Sequence, residues 1–367
     1  MRESWTRADW GLIVAALGLS LIGAALVWSA THHTLGGTYA VRHLVFTAVG
    51  LAMAWWVMRI DSRTIRAWAP WVYLASLLGL LAVLSPLGST VNGSRSWLQF
   101  PGLSLQPAEL TKVALAVGLA MILAERGERD QPPPHRDVAL AVVVAAVPVL
   151  LVLAQPDLGT AVVLSALSLG VIAVAGASRW WLVGALVGGV GAAAVAWLTP
   201  LLSAYQRDRI LAFADPSVDP GGIGYQVRQV RIAIGSGGWS GQGWGAGQQT
   251  QGGFIPYQHT DFVFSVAGEE LGLLGAAGVL LISGFIVVRA IFIARRAQDS
   301  FGRLVATGVA CWLLFQTVQN VGMNLGLLPV TGLPLPFVSY GGSSMFACWI
   351  AIGLLGNVHF VSLRRVY

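Results

Sequence analysis

The sequence predicts an all-α fold: a polytopic membrane protein of about ten transmembrane helices, with a large extracellular loop between helices 7 and 8. Apolar residues make up 56% of its 367 residues and charged residues only 10%, with a mean hydropathy of +0.71. A soluble domain carries about 25% charged residues. Apolar runs of roughly 17 to 22 residues recur along the chain, the length at which a helix crosses about 30 Å of hydrocarbon. A transmembrane β-barrel would show short alternating segments instead.

The spans fall at residues 10–29, 43–58, 67–85, 108–124, 138–154, 160–176, 180–198, 262–288, 303–325 and 343–361. The first has an apolar run at 12–28, too long for a signal-peptide core and without a cleavage site, so it reads as a retained span. The second ends at Arg59, and the third lies between Arg66 and Pro86. The fourth opens at Pro107, a residue suited to the first turn of a helix. The fifth follows RGERDQPPPHRD (126–137), read as a plain cytoplasmic connector, and the sixth follows AQPDLGT (154–160). The seventh begins after Arg179 and ends at the polar loop 199–260. The eighth follows QHT, the ninth starts at Arg303, and the tenth opens out of LLPVTGLPLPFVSYGGSS (327–344). The whole of 1–367 reads as one integral membrane domain, with 199–260 as a loop within it.

Charge sets the orientation. With the N-terminus inside, the inner segments hold Arg2, Arg7, Arg59, Arg63, Arg66, Arg126, Arg129, Arg136, Arg179, Arg289, Arg295, Arg296, Arg303, Arg364 and Arg365. The short outer loops hold only Arg42 and Arg95. That asymmetry is a positive-inside bias. The net charge of +6 is dispersed between spans, which argues against nucleic acid as a partner. Cys311 and Cys348 both fall in apolar spans, so no disulfide framework is expected. His32, His33 and His43 form no convincing metal spacing, and there is no phosphate-binding loop of the ATPase kind.

Polar segments on the outer side carry the candidate chemistry. IPYQHTDFVFSVAGEELGLLG (255–275) brings Asp261, Glu269 and Glu270 to the start of the eighth span. Acids are costly in hydrocarbon and persist mainly where they act or meet water. Thr260 or Asp261 reads simply as a helix N-cap. The alternative is a general base at the water–lipid boundary. Asp261, Ser265 and Glu269 recur at i, i+4 and share a helical stripe, which suggests a cavity wall including Ser265 and Glu269. In QPAELTKVALAV (106–117), Glu109 and Lys112 are i, i+3 and can pair. Lys112 is the single lysine of the chain. The pair reads either as packing glue or as an anion contact held in place by Glu109.

The loop 199–260 divides into three parts. YQRDRILAF reads as a short helix carrying Arg207 and Arg209. DPSVDPGGIG reads as a turn. YQVRQVRIAIG fits an interfacial helix or a strand, with Arg228 and Arg231 on one face if helical. The remainder, rich in Gly, Trp and Gln, reads as a floppy loop, or as a lid or platform for sugars. Trp239 and Trp244 weigh against the floppy reading. The Pro- and Gly-dense 327–344 breaks regular helix, and such backbone at membrane depth sits only against protein or a wet cavity. Ser339, Tyr340, Ser343 and Ser344 favour the cavity.

NVGMNLGLLPVTGLPLPFVSYGGSS (320–344) resembles the signature of the shape, elongation, division and sporulation family. HTDFVFSVAGEELGLLG, QPAELTK and QPDLGT resemble further motifs of that family, in its order. DPSVDPGGIGYQVRQVRIAIGSGGWSGQGWGAGQQTQ and LPLPFVSYGGSS are closer to its elongation branch than to its division branch. One departure is IPYQHTD, where Tyr257 and Gln258 stand in place of an acid usual after the proline.

The resemblance implies a peptidoglycan glycosyltransferase that polymerises lipid II outside the bacterial cytoplasmic membrane. Its implied partners are a class B penicillin-binding protein (a transpeptidase), other elongation-complex proteins and membrane lipids. Asp261 would be the catalytic base. Lys112, Glu109, Arg209, Arg231, Arg95 and Ser343 would bind substrate, and Glu269, Ser265 and Asp157 would line the cavity. No dedicated metal site is expected, although a divalent cation such as Mg2+ or Mn2+ suits the pyrophosphate. Two other readings remain open: a lipid II flippase, which needs a continuous polar path through the bilayer, and a non-catalytic scaffold.

Overall fold

A computed structural model describes residues 9–91, 94–100, 103–124, 132–199, 204–215 and 221–364. Arg2, Arg7, Arg126, Arg129, Arg365 and the 216–220 part of the expected turn lie outside the described residues.

Helix α1 (Trp10–Leu35) starts where Asp9 Oδ1 accepts the Leu12 N–H, and stops at Gly36, whose φ of +60° turns the chain into α2 (Thr38–Arg59). Asp61 caps α3 (Ser62–Leu84) by accepting the Arg63 N–H. A three-stranded antiparallel sheet follows, β1 (Gly88–Val91), β2 (Ser94–Phe100) and β3 (Leu103–Leu105), in that spatial order. Next come α4 (Pro107–Ala124), α5 (His135–Leu153), α6 (Leu158–Val174) and α7 (Arg179–Leu198). The long loop holds α8 (Ala204–Ala214), α9 (Ile223–Ser236) and the single turn α10 (Gln248–Gln251). The chain closes with α11 (Val263–Glu270), α12 (Gly272–Arg296), α13 (Ser300–Leu325) and α14 (Gly342–Arg364).

Nine of these helices are long and apolar enough to span a membrane among the described residues, and α6 is a shorter apolar helix of 17 residues. They match the ten expected spans, with one correction. The eighth is not continuous from residue 262. It is interrupted at Leu271–Gly272, where Gly272 has φ +66°. The loop itself repairs this break. Gln242 and Gly243 donate their N–H groups to the Glu269 and Glu270 carbonyls, while Leu273 and Leu274 donate to Gly238 and Trp239. A Cβ at Gly241 would overlap the Glu270 carbonyl, so the glycine is what allows the backbones to touch.

Chain alternation gathers residues 9, 59–62, 174–179, 296–300 and 364 at one end of the bundle. The sheet, the long loop and segment 326–341 gather at the other, called here the loop end. At the first end Arg289 pairs with Asp9, and the Asn357 amide donates to the Val57, Met58 and Ile60 carbonyls. Helix α4 is the most enclosed of the spanning helices, with 78% of its residues buried, whereas α7 has no buried residue and packs chiefly against α6. Helices α2 and α14 pack closely because Gly50 receives Trp349 and Gly353 faces the Ala54 backbone, the small-residue packing that membrane helices favour. Spans carry buried hydroxyls, but Thr47, Ser168, Ser283 and Thr307 each donate to the carbonyl four residues back.

Helix or strand was open for 223–236, and burial decides for helix. Ile223, Val227, Val230 and Ala233 lie on one face and join Ile255, Phe262, Met323 and Val330 in a satellite core. The Gly-, Trp- and Gln-rich stretch is neither floppy nor a lid. Trp244 stacks on Trp28 and donates to the Ala25 carbonyl, and Gln258 donates to the Ala30 carbonyl. Trp239 stays 74% exposed and Trp244 53%, as indoles do in the belt where membrane meets water.

Glu269 and Glu270 clamp this stretch. Glu269 accepts the Gln249 N–H, the Thr250 N–H and the Thr250 hydroxyl at 2.7, 2.9 and 2.7 Å. Glu270 accepts from the Ser29 hydroxyl and the Gln251 amide. Hydrogen bonds to a charged group contribute about 1.5–3 kcal/mol each. Glu269→Ala is therefore expected to lower the thermal unfolding midpoint and to speed amide exchange across 237–253, but not in α13. Unchanged exchange in that stretch would remove the clamp.

Candidate active site at the loop end

Asp261 lies in an irregular turn, not in a helix. The N-cap position of α11 is Phe262, and no side chain caps it. The simple capping explanation for Asp261 therefore fails. The turn is held by its neighbours. Tyr257, at φ +57°, accepts the Asp261 N–H. The Asp261 carbonyl accepts from the Asn320 and Asn324 amides at 2.9 and 3.3 Å. The Thr260 carbonyl accepts the Ser339 hydroxyl, and the His259 carbonyl accepts the Tyr340 N–H. With the backbone so fixed, the half-buried carboxylate has no capping duty.

Its closest cationic neighbour is Arg209 of α8. The two flank Gly332, whose Cβ, were there one, would stand 3.5 Å from Asp261 Oδ2 and 3.6 Å from Arg209 Nη2. Arg209 Nη1 donates to the Thr331 carbonyl at 3.1 Å. Burial pushes the Asp261 carboxyl up to about 6, against the pull of Arg209 and a hydrogen bond from Thr260, with the Asp157 charge adding to the rise. A carboxyl so placed exchanges protons near neutral pH, a property of general bases.

Asp157 caps α6 through the Thr160 N–H and hydroxyl, and accepts the Gln106 side-chain amide at 3.2 Å. Ser343 accepts the Gln106 N–H, which ties α14 to the start of α4. One turn along α4, Lys112 Nζ donates to Glu109 Oε1 at 2.7 Å and to Gln316 Oε1 at 2.8 Å. It also stands 5.3 Å from the Trp312 ring. Gln316 passes the contact on, donating to the Pro334 carbonyl. The expected ion pair is thus present. Lys112 is fully buried, however, and its charge is spent inside the protein, which argues against direct contact with an anion. Glu109 Oε2 accepts no hydrogen bond among the described residues.

Arg209 and Arg231 line one shallow cleft with Phe213, Val227 and Leu328. Arg231 is exposed and donates to the Gly326 carbonyl at 3.1 Å. Arg207 points elsewhere, to the Thr199 carbonyl that ends α7. Three expectations are corrected. Arg95 is spent on the Ser85 and Gly88 carbonyls and holds the sheet to α3. Ser265 is fully buried and donates to the Phe262 carbonyl. Glu269, also fully buried, faces the loop clamp and not an open cavity, because the i, i+4 stripe assumed a helix that starts only after Asp261. Sequence reasoning missed Gln316, Asn320 and Asn324. Their signal was three amides at i, i+4, i+8 inside an apolar span, where polar groups are costly.

Comparison with known proteins identifies the family and the fold. The family model described as cell cycle protein, covering FtsW, RodA and SpoVE, matches residues 8–363. The peptidoglycan glycosyltransferase MrdB of Escherichia coli strain K12 is 37% identical over 350 residues, 95% of this chain and 92% of that protein. A solved chain described under structural coordination of polymerization and crosslinking by a peptidoglycan synthase complex superposes with TM-score 0.81. It is 34% identical and the match covers 97% of this chain and 98% of that one. The crystal structure of Thermus thermophilus rod shape determining protein RodA gives TM-score 0.71 at 32% identity, covering 96% of each chain. The protein belongs to the FtsW, RodA and SpoVE family, the shape, elongation, division and sporulation proteins that its motifs resemble.

Proposed function

We infer that this chain is a peptidoglycan glycosyltransferase that joins lipid II disaccharides into glycan strands on the outer side of the bacterial cytoplasmic membrane, with Asp261 as general base. One observation carries the reading: a half-buried carboxyl near neutrality, on a turn fixed by five neighbouring residues, beside a cleft that holds two arginines. Asp261 removes the proton from the 4-hydroxyl of the acceptor N-acetylglucosamine. That oxygen attacks the anomeric carbon of the donor with inversion, and the bond to the pyrophosphate breaks. Negative charge gathers on the departing phosphates, where preorganised cations act most strongly. Arg209 and Arg231 stand there. Lys112 and Glu109 act one step back, holding Gln316 and hence the 329–341 segment behind Asp261.

Mg2+ or Mn2+ binds through one or two carboxylates plus substrate phosphates. Asp157 is the carboxylate this site offers besides the base, and such an ion would neutralise the departing pyrophosphate. No group of three or more potential ligands comes together among the described residues, so substrate and water would complete its shell. A class B penicillin-binding protein is the proposed partner, supported by the synthase complex in which a similar chain was solved. The flippase reading is less favoured, because the span hydroxyls of Thr47, Ser168, Ser283 and Thr307 bond within their own helices.

Asp261→Asn should insert and fold, yet lose about 10²- to 10⁴-fold in lipid II polymerisation, the usual contribution of a general base. Purified protein with labelled lipid II decides it, and activity within a few-fold of wild type would end the assignment. The pH profile is a second check. The base must be ionised, so kcat/KM should fall as pH drops through about 6. Arg209 holds that value down, so Arg209→Gln should move the acidic limb to higher pH whatever it does to the maximum. For the buried pair, Lys112→Met or Glu109→Gln alone strands one partner, at about 3–5 kcal/mol. The double variant should recover much of that loss in a chemical unfolding series, and failure to recover would deny the coupling.

A further inference from the structure

A second group of side chains adjoins Asp261 and takes no part in the chemistry above. Tyr39 and Arg42 stand in the first turns of α2, His259 lies two residues before Asp261, and Tyr340 lies just before α14. The Tyr39 ring is 5.1 Å from His259 and 4.7 Å from Tyr340, and the His259 and Tyr340 rings are 5.9 Å apart. Arg42 hydrogen-bonds the Tyr340 hydroxyl. Tyr39, His259 and Tyr340 are half-buried and Arg42 is exposed, so the cluster is a surface and not a core.

Two features are unexplained by packing alone. By sequence, Arg42 and Arg95 are the two arginines that stand between spans in the short segments at this end, where topology does not call for them; Arg42 lies in the first turns of α2, and Arg95 is already spent on carbonyls. Among the described residues Arg42 has no carboxylate within ion-pair distance. Three rings also meet at the one turn that carries the proposed base, tied to it by the hydrogen bond from Tyr340 N–H to the His259 carbonyl.

We propose that Tyr39, Arg42, His259 and Tyr340 form a saccharide subsite that holds the acceptor N-acetylglucosamine ring with its hydroxyl toward Asp261. The proposal rests on the glycosyltransferase reading and adds a division within the site. The acceptor sugar lies over α2 and the start of α14, and the donor pyrophosphate lies in the arginine cleft between α8 and α9. The chemistry suits each half. The C–H bonds on a pyranose face are weakly positive and are drawn to the negative faces of aromatic rings. Guanidinium and imidazole N–H groups can donate to an acetamido carbonyl and to hydroxyls. The rings are set by two helices and a pinned turn, so the subsite is preformed. The segregation also keeps Arg209, which the base needs, clear of the acceptor.

Binding of tetra-N-acetylchitotetraose to the protein in nanodiscs, followed by saturation-transfer NMR, tests this directly. Wild type and Asp261→Asn should both transfer saturation to the sugar C–H protons. Tyr39→Leu with Tyr340→Leu should cut the signal at least 5-fold. The Phe pair at the same positions keeps the rings and should stay within 2-fold. Arg42→Gln, at an exposed position, should weaken binding at least 2-fold more than the Phe pair, which also removes the Arg42–Tyr340 hydrogen bond. No saturation in wild type, or an equal signal in the Leu pair, would overturn the subsite. Lipid II polymerisation is scored separately. Oligosaccharide binding without any polymerisation would sink the enzyme reading and leave the subsite standing, whereas polymerisation with no effect of the Leu pair on binding would sink only the subsite.

Discussion

A ladder of amides on one face of α13 holds the loop end together. Irregular backbone at the membrane boundary must find its hydrogen bonds within the protein. Segments 255–262 and 327–341 are such backbone. Gln316 donates to Pro334, Gln319 to Pro329, Asn320 to both Asp261 and Leu333, and Asn324 to Asp261. The spacing i, i+3, i+4 and i+8 puts all four on a single helical stripe. Without them several carbonyls would be stranded, and an unsatisfied buried group costs about 1–3 kcal/mol. The prolines of 329–336 have no N–H to offer, so the segment is short of donors of its own and its carbonyls draw them from α13.

The ladder explains why the buried Lys112 matters to a site it does not face. Lys112 and Trp312 both donate to Gln316 Oε1, which fixes the amide so that its nitrogen points at Pro334. Glu109 balances the lysine charge in a place where an unpaired ammonium would be prohibitive. On the other side, Gly159 has no Cβ and lets the Leu333 and Thr331 side chains and the Thr331 carbonyl rest on the start of α6. Asp157, at that same helix start, thereby comes within electrostatic range of Asp261. Helices α4, α6 and α13 thus support one turn, and the proposed base is a carboxylate that caps no helix.

Much of this was legible in the sequence, for identifiable reasons. The spans were legible because an apolar run of the right length has few alternatives. The Glu109–Lys112 pair followed from i, i+3 spacing on a helix whose start Pro107 marks. The stripe Asp261, Ser265, Glu269 misled because it presumed a helix beginning before Asp261, whereas the backbone bonds from Asn320 and Asn324 hold that residue in a turn. Nothing local announces such long-range donors. Arg95 misled for a related reason: a cation in an outer loop invites an anion, yet carbonyls at a helix end compete for the same guanidinium. The glycines of 237–253 suggested a floppy loop or a lid, but Gly241 there, like Gly272 beside it in space, serves close backbone contact, and only the facing backbone reveals which use a glycine has.

The placement of Arg209 resolves two demands that ordinarily conflict. A base must be basic enough to take a proton yet ionised at working pH, and efficiency peaks when its pKa lies near that pH. Burial raises the Asp261 carboxyl, and a fully exposed carboxylate would be a weaker base. Arg209 offsets part of the burial and leaves the group at about 6. In the proposed reaction the same guanidinium changes partners. Before proton transfer it stabilises the Asp261 carboxylate. As the proton arrives that charge vanishes, while charge builds on the departing pyrophosphate in the cleft that Arg209 also lines. The attraction lost at one site is gained at the other with little movement, so the cation favours the transition state over the ground state, and only such differential stabilisation accelerates the chemical step.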